Sequence, residues 1–320
     1  MFSLVIRNKV RLIIIFVVMT VLLMATTICA VLASEPKYWT WGAPAGAILA
    51  VLIGFYVYCT GADDLLGELD AQQAIAKDEP VLVNIVQEMV IASGLGTCPT
   101  IYIIENDSYA AFSTGTSHSN AAIVVTRGLL RGLSRDELQA VVAHEISHIY
   151  HQDIFLMLIL ATMTSSIGVI SDVQMASSAN TNKKSAIEDG AKSFMVSAVL
   201  RLFIYLFAGY AAKKLIMMAS HAREYMADAS SAVYTRNPEA LASALEKMHG
   251  DCAVGDRAKL VTVAAMLTTS DGKNIDHPPL DVRIAILRRL AGTPSVSYLD
   301  YASTYEAVTG QKARFMPSRM

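Results

Sequence analysis

Charge is what this 320-residue chain has least of: Asp, Glu, Lys and Arg make up 17% of it, against about 25% in ordinary soluble chains. The few charges are also evenly mixed. The formal net charge is −2 and no run of five or six like charges occurs, which excludes a nucleic-acid or polybasic lipid-binding surface. Cysteine is scarce as well. Cys29, Cys59, Cys98 and Cys252 include no pair at CxxC spacing, so neither a disulfide framework nor a dithiol redox motif is present. Gly94-Leu95-Gly96 lacks the third glycine of a dinucleotide loop, and no internal repeat is found.

What the chain has instead is apolar sequence, 53% of its residues, with a mean hydropathy of +0.42. The excess is local. Setting aside Leu12–Ala33, Pro44–Thr60, Ile154–Ile170 and Phe194–Ala212 removes only one charge, Arg201, and leaves a remainder roughly 22% charged, near the soluble average. Around the first two stretches the chain is uncharged from Leu12 to Ser34 and from Tyr38 to Ala62, each longer than the roughly 20 residues that span a bilayer. Arg7, Lys9 and Arg11 before the first resemble the start of a signal peptide, but the apolar run is too long for one and a second run follows closely. The third stretch is just long enough to cross. The fourth carries Arg201 near its middle, so it either faces a polar interior or lies partly within protein. The basic cluster outweighs the lone Lys37 beyond the first span, which places the N-terminus in the cytosol and returns the chain there at Gly61. Tyr38, Trp39 and Trp41 stand where an interfacial aromatic belt would.

The remaining sequence predicts an α-rich fold with a small sheet. Helical spacing of Leu82, Ile85, Val86 and Met89 follows Glu79-Pro80 and ends at Gly94. Ile101–Ile104 and Ala121–Val125 read as strands separated by a Ser/Thr/Gly-rich loop. A capping box, Ser134 to Glu137, opens a helix that runs to about His151. Asn237-Pro238 opens another through Met248, and a last helix begins near Leu280.

His144-Glu145-Ile146-Ser147-His148 is an HExxH pattern on the capped helix. Spacing of four stacks both imidazoles on one face, where they can hold a Zn²⁺ ion with Glu145 beside them to serve as a base. A catalytic zinc needs a third protein ligand. His151 lies on the same helix and cannot easily fold back onto the ion, and the glycine turn that precedes a distant third histidine in metzincins is absent. Glu224 is the better candidate, with Asp228 one turn on to hydrogen-bond a ligating histidine from behind. His118 and His249 have no partner pattern.

With these residues in view, the chain resembles the HtpX family of bacterial membrane-bound zinc endopeptidases, related to the CAAX prenyl proteases, from about Glu79 to Arg289. The resemblance rests on His144 to His148 followed by an apolar segment, on Arg223-Glu224 to Asp228 after a further one, on Val125-Thr126-Arg127-Gly128-Leu129-Leu130, and on His277-Pro278-Pro279-Leu280-Asp281-Val282-Arg283-Ile284. It departs at Ala110, where the family's Asn-Ala-Phe-Ala-Thr-Gly has asparagine and this chain reads Ala-Ala-Phe-Ser-Thr-Gly. The resemblance implies one Zn²⁺ per chain held by His144, His148 and Glu224, with Glu145 catalytic. It also implies His277 as the partner of the tetrahedral oxyanion, Arg283 being the alternative.

The expected architecture is an α-helical membrane protein with two to four transmembrane helices and an α-rich HExxH metallopeptidase domain carrying a small β-sheet. Residues 1–62 form two N-terminal spans, 63–153 a cytosolic catalytic region, 154–212 two further hydrophobic segments, and 213–320 the third-ligand helix and a C-terminal helical region. The expected partners are membrane or misfolded protein substrates and the lipid bilayer, at the inner membrane with the site facing the cytosol. Three other readings compete. A site-2-type intramembrane protease would carry HExxH inside an apolar span, whereas His144 precedes Asp153 and the run beyond it. A transporter would need broken or polar first spans. A scaffold with a structural zinc would use four protein ligands and no base.

Overall fold

The computed structural model describes residues 36–155, 158, 221–250, 278–293 and 295–316, with isolated helical positions between Val10 and Val31. The described chain divides into two units. One holds Gly61–Leu158 and the described residues from 221 onward, and the other holds those between Lys9 and Thr60. Apart from Ile154, Phe155 and Leu158, the expected third and fourth apolar segments lie outside the described residues, as does His277.

Among the described residues one helix, α1 (Gly42–Glu68), is long and apolar enough to cross a membrane. It follows a 3₁₀ turn, Pro36–Trp41, in which Tyr38 and Trp41 are exposed. Large apolar side chains such as Ile48, Leu52 and Phe55 also point away from protein, the arrangement that lipid favours and water does not. Within the same unit, Gly42 and Gly46 allow a close backbone approach. A Cβ on Gly46 would sit 2.5 Å from Met24 Cα, and Thr27 Oγ1 donates to the Gly42 carbonyl at 2.7 Å. Small residues four apart permit this packing between apolar helices, where no hydrophobic force pulls them together.

The larger unit is built around a four-stranded sheet in the order β1-β2-β4-β3, formed by β1 (Gln72–Gln73), β2 (Thr100–Ile104), β3 (Ala111–Thr114) and β4 (Ala122–Thr126). β2 and β4 run parallel, while β1 and β3 join antiparallel at the two edges. The Ser/Thr/Gly-rich stretch between the two expected strands therefore contains a strand of its own. Side chains alternate across the pleat. Ile101, Ile103, Ala111, Ile123 and Val125 face one core cluster, and Ile104, Phe112, Ala122 and Val124 face another with Leu66 and Leu69.

The first of these faces is covered by α2 (Pro80–Ser93) and α4 (Arg135–Tyr150), joined to β4 through the short α3 (Arg127–Gly132). α2 has Pro80 in its first turn and stops at Gly94 in the left-handed conformation, as its sequence predicts. α4 begins at the expected capping box, with Ser134 Oγ accepting from Glu137 N–H while Glu137 accepts from Ser134 N–H. Its apolar Val142, Ile146 and Ile149 pack on the sheet. The opposite side, from Ala140, packs on α5 (221–235), α6 (Pro238–Gly250), α7 (Leu280–Leu290) and α8 (Tyr298–Thr309). Alanines at 140, 229 and 232 let these helices come close, and Ser231 Oγ donates to the Ala140 carbonyl at 2.7 Å. α8 lies beyond the helix expected to be last, with its own capping box from Ser297 to Asp300.

Candidate active site

α4 is buried on nearly all sides, so its polar residues face protein rather than solvent. His144 and His148 stand one turn apart with ring centroids 4.9 Å from each other and Nε2 atoms 3.2 Å apart. Glu224 enters from α5, placing Oε2 3.4 Å from His144 Nε2 and Oε1 3.7 Å from His148 Nε2. These three side chains form a group able to hold a metal ion, their ligand atoms all within 4.8 Å of one another.

The far side of each ring determines what the near side can do. His144 Nδ1 is 3.1 Å from Asp228 Oδ1, a hydrogen-bond distance, though the N–H is not aligned on the oxygen as placed. His148 Nδ1 is 3.3 Å from Asp153 Oδ2. A carboxylate can only accept, so each ring keeps its proton on Nδ1 and turns a lone pair on Nε2 inward. Two lone pairs and a carboxylate then converge on one point. Burial disfavours a charge on His144, yet Asp228 and Glu224 outweigh it and push its pKa up to about 9, the mark of a pocket that demands a cation.

The buried charges give the same answer. Among the described residues, Glu145, Asp153, Glu224 and Asp228 surround the histidines with only Arg223 and Arg283 as buried cations. This excess of carboxylates over guanidinium groups suits a cation. Buried charges without such a partner are costly.

Asp153 was not apparent as a site residue from the sequence, where it reads as the edge of an apolar run. A backbone turn brings it in. α4 ends with Gln152 at φ 57, Gln152 N–H donating to the Ile149 carbonyl and Asp153 N–H to that of His148, each at 3.0 Å. This is a Schellman closure, which sets the second residue past the cap against the third residue from the helix end. Here those are Asp153 and His148.

Asp228 is fixed in turn by Arg283 of α7, whose Nε and Nη2 donate to its two oxygens at 2.8 and 2.6 Å. Burial opposes the charge on both, but each partner more than compensates, lowering the Asp228 pKa and raising that of Arg283. Arg283 Nη1 also lies 3.7 Å from Glu224 Oε2, so this arginine is committed to the acidic pair and not to an oxyanion. Arg223 Nη2 reaches Glu224 Oε1 at 3.3 Å. His151, by contrast, turns back onto Ser147, with Nδ1 2.8 Å from the Ser147 carbonyl, and burial pushes its pKa down. It stands outside the metal-binding group.

Glu145 is 3% exposed, and its one side-chain hydrogen bond among the described residues is accepted from Ser113 Oγ, at 2.8 Å. Together with His144, Glu224 and Arg283 it borders a small, partly open pocket. The rest of that wall is apolar: Val141 of α4 and Leu241, Leu245 and Met248 of α6.

The chain carrying this arrangement, two histidines one turn apart with a carboxylate from a later helix and a further carboxylate beside them, is similar to known sequences over most of its length. The description of Peptidase family M48 fits residues 76–291. The chain belongs to that family. A "Protease HtpX homolog" of Dictyoglomus turgidum is 35% identical over 255 residues, covering 77% of this chain and 82% of the relative. Another, of Listeria monocytogenes, is 33% identical over 264 residues, covering 77% and 86%. A third, of Streptococcus gordonii, is 31% identical over 272 residues, covering 81% and 91%. Among solved structures, "Crystal Structure of S. mikatae Ste24p" matches with a TM-score of 0.47 at 18% identity, covering 90% of this chain and 67% of that one. As an M48 member the chain is a metallopeptidase, a hydrolase, and the transporter and non-catalytic scaffold readings are not favoured.

Proposed function

We propose that this M48 peptidase is a zinc-dependent endopeptidase in which His144, His148 and Glu224 hold the ion and Glu145 is the general base. The observation that carries the reading is the convergence of both histidine Nε2 atoms and the Glu224 carboxylate on one buried point, with Asp228 and Asp153 behind the two rings. Nitrogen and oxygen donors of this kind, three in number, suit catalytic zinc and leave a position open for chemistry. The ion, when bound, supplies Lewis acidity to the scissile carbonyl and makes water a stronger acid. Glu145 takes the proton of the attacking water and delivers it to the leaving amine, the double role of a single general base. Asp228 and Asp153 hold the two rings in the tautomer that leaves Nε2 free. The apolar wall of Val141, Leu241, Leu245 and Met248 lowers the local dielectric around the reacting groups. His277, followed in the sequence by Pro278 and Pro279, stabilises the oxyanion.

The protein is a multi-pass protein of the inner membrane with its site on the cytosolic side, acting on membrane or misfolded proteins. The long, outwardly apolar α1, the basic cluster before the first span and the pairing of the remaining apolar stretches support this placement.

Two measurements test it. Glu145→Gln is expected to retain zinc, quantified on the purified protein in detergent, and to lose nearly all cleavage of an unfolded protein substrate; retention of most activity removes Glu145 from the mechanism. In a background without the native cysteines, a label at 36–43 is expected to react from outside the cell and one at 251–256 only after permeabilisation. The reverse pattern overturns the orientation.

A further inference from the structure

β3 is an edge strand of the sheet, and its two side chains on the α4 side are Ala111 and Ser113, which pair across β4 with Val125 and Ile123. Both are small because α4 passes close to this face. Ala111 needs nothing further, being wholly buried among apolar groups. Ser113 differs by one oxygen, and that oxygen makes one side-chain hydrogen bond among the described residues, to Glu145 Oε2. A hydroxyl buried to 5% exposure against an apolar core is costly without a partner, so its presence here is tied to the carboxylate it meets.

A glutamate on three rotatable bonds can present either oxygen, in several directions, to a water molecule. With Oε2 accepting from Ser113, the carboxylate is pinned at one end and Oε1 is left as the oxygen for proton transfer. We infer that Ser113 is a positioning residue for the peptidase reaction, fixing the rotamer of Glu145 through the Oγ–H···Oε2 bond. This rests on Glu145 being the general base. Ser113 sits on the sheet and not on a ligand-bearing helix, so it acts on the base without acting on metal affinity.

The expected result follows from the cost of misplacing a reacting group by about an ångström, roughly a hundredfold in rate at the upper end. Ser113→Ala, measured on the full chain in detergent with a fluorogenic peptide, is expected to lower kcat about 10- to 100-fold and leave KM within about twofold. Zinc affinity by chelator competition and melting temperature should stay at wild-type values. Ser113→Thr, which keeps the hydroxyl on a strand that favours β-branching, should recover most of kcat. Glu145→Asp withdraws the carboxylate from Ser113, so on that background, under single turnover with enzyme in excess, Ser113→Ala should cost less than about twofold, a non-additivity that a purely structural role would not show. A kcat for Ser113→Ala within twofold of wild type overturns the assignment, as does a loss that tracks zinc occupancy or melting temperature, or an equal loss on both backgrounds. Glu145→Gln in the same assay separates the two readings. If it is inactive while Ser113→Ala behaves as wild type, only the role of Ser113 fails; if it stays active, the general-base reading fails and takes the positioning role with it.

Discussion

His144 Nε2 and His148 Nε2 face each other at 3.2 Å, close to the roughly 3.3–3.4 Å expected of two nitrogens bound at about 2.0–2.1 Å to one tetrahedral ion. Without the ion these nitrogens can share only a proton, and the buried carboxylates described around them outnumber the buried cations. Removing zinc is therefore expected to destabilise the fold as well as abolish activity. A chelator should lower the melting temperature by several degrees, and stoichiometric zinc should restore it, because a ligand that binds only the folded state stabilises that state by mass action. An unchanged melting temperature on chelation would sink this coupling.

Glu224 and Asp228 make separable contributions. Glu224→Ala deletes a ligand and should reduce zinc affinity severely while Asp228 and Arg283 stay paired. Asp228→Asn is expected to cost about 10- to 100-fold in zinc affinity. It also leaves buried Arg283 with only its longer contact to Glu224, a loss of up to about 3 kcal/mol in stability. Chelator competition and thermal unfolding on both variants check this. If Asp228→Asn is the more damaging to zinc, the two roles are exchanged.

Asp153→Asn should resemble Asp228→Asn in zinc affinity. Its carboxylate meets His148 Nδ1 behind the ring, so about a tenfold weaker zinc affinity is the expected reading, measured by chelator competition. Wild-type zinc affinity would remove Asp153 from the site.

The other buried carboxylate of α4 makes a pH prediction. Burial works against the charge of Glu137, but Lys247 and Ser243 of α6 and the Ser134 N–H outweigh it and hold its pKa down to about 2. A lowered folded-state value means that the stabilisation is complete above the usual value of 4.5 and is lost as pH falls from there through about 2. Lys247 is 44% exposed, so solvent screening limits the effect to about 1 kcal/mol between pH 5.5 and 3.5. Glu137→Gln should be less stable than wild type at pH 7, by a margin that narrows across that interval. A margin independent of pH would contradict the linkage.

Gly128 is expected to be intolerant even of alanine. A Cβ there would overlap the Asp107 carbonyl oxygen, and Gly128 N–H donates to the Asn106 carbonyl at 2.9 Å. Gly128→Ala must displace backbone and should cost about 2–3 kcal/mol, read by denaturant unfolding.

The parts of this site that were legible in the sequence share one property: their signal is local. The capping box of Ser134 and Glu137, the four-residue spacing of His144 and His148, and that of Glu224 and Asp228 are each set by helix geometry over a single turn. The metal group required only that two such turns meet. Asp153 was hidden because its approach depends on Gln152 adopting a left-handed conformation, which nothing in its side chain announces. β3 was hidden because Ala-Phe-Ser-Thr is poor in the branched residues that mark strands, its small side chains being demanded by the neighbouring α4. With the strand unseen, Ser113 had no address.

The break in α4 at Gln152 has an electrostatic side. Peptide dipoles aligned along a helix sum to about half a negative charge at its C-terminal end, and the effect fades within a turn. α4 stops at Tyr150, so His148 lies in its last turn, where that end of the macrodipole is felt. Had the helix run unbroken into the apolar residues beyond Asp153, its negative pole would have moved several turns away. By ending where it does, the backbone itself adds to the field that draws a cation to the histidines.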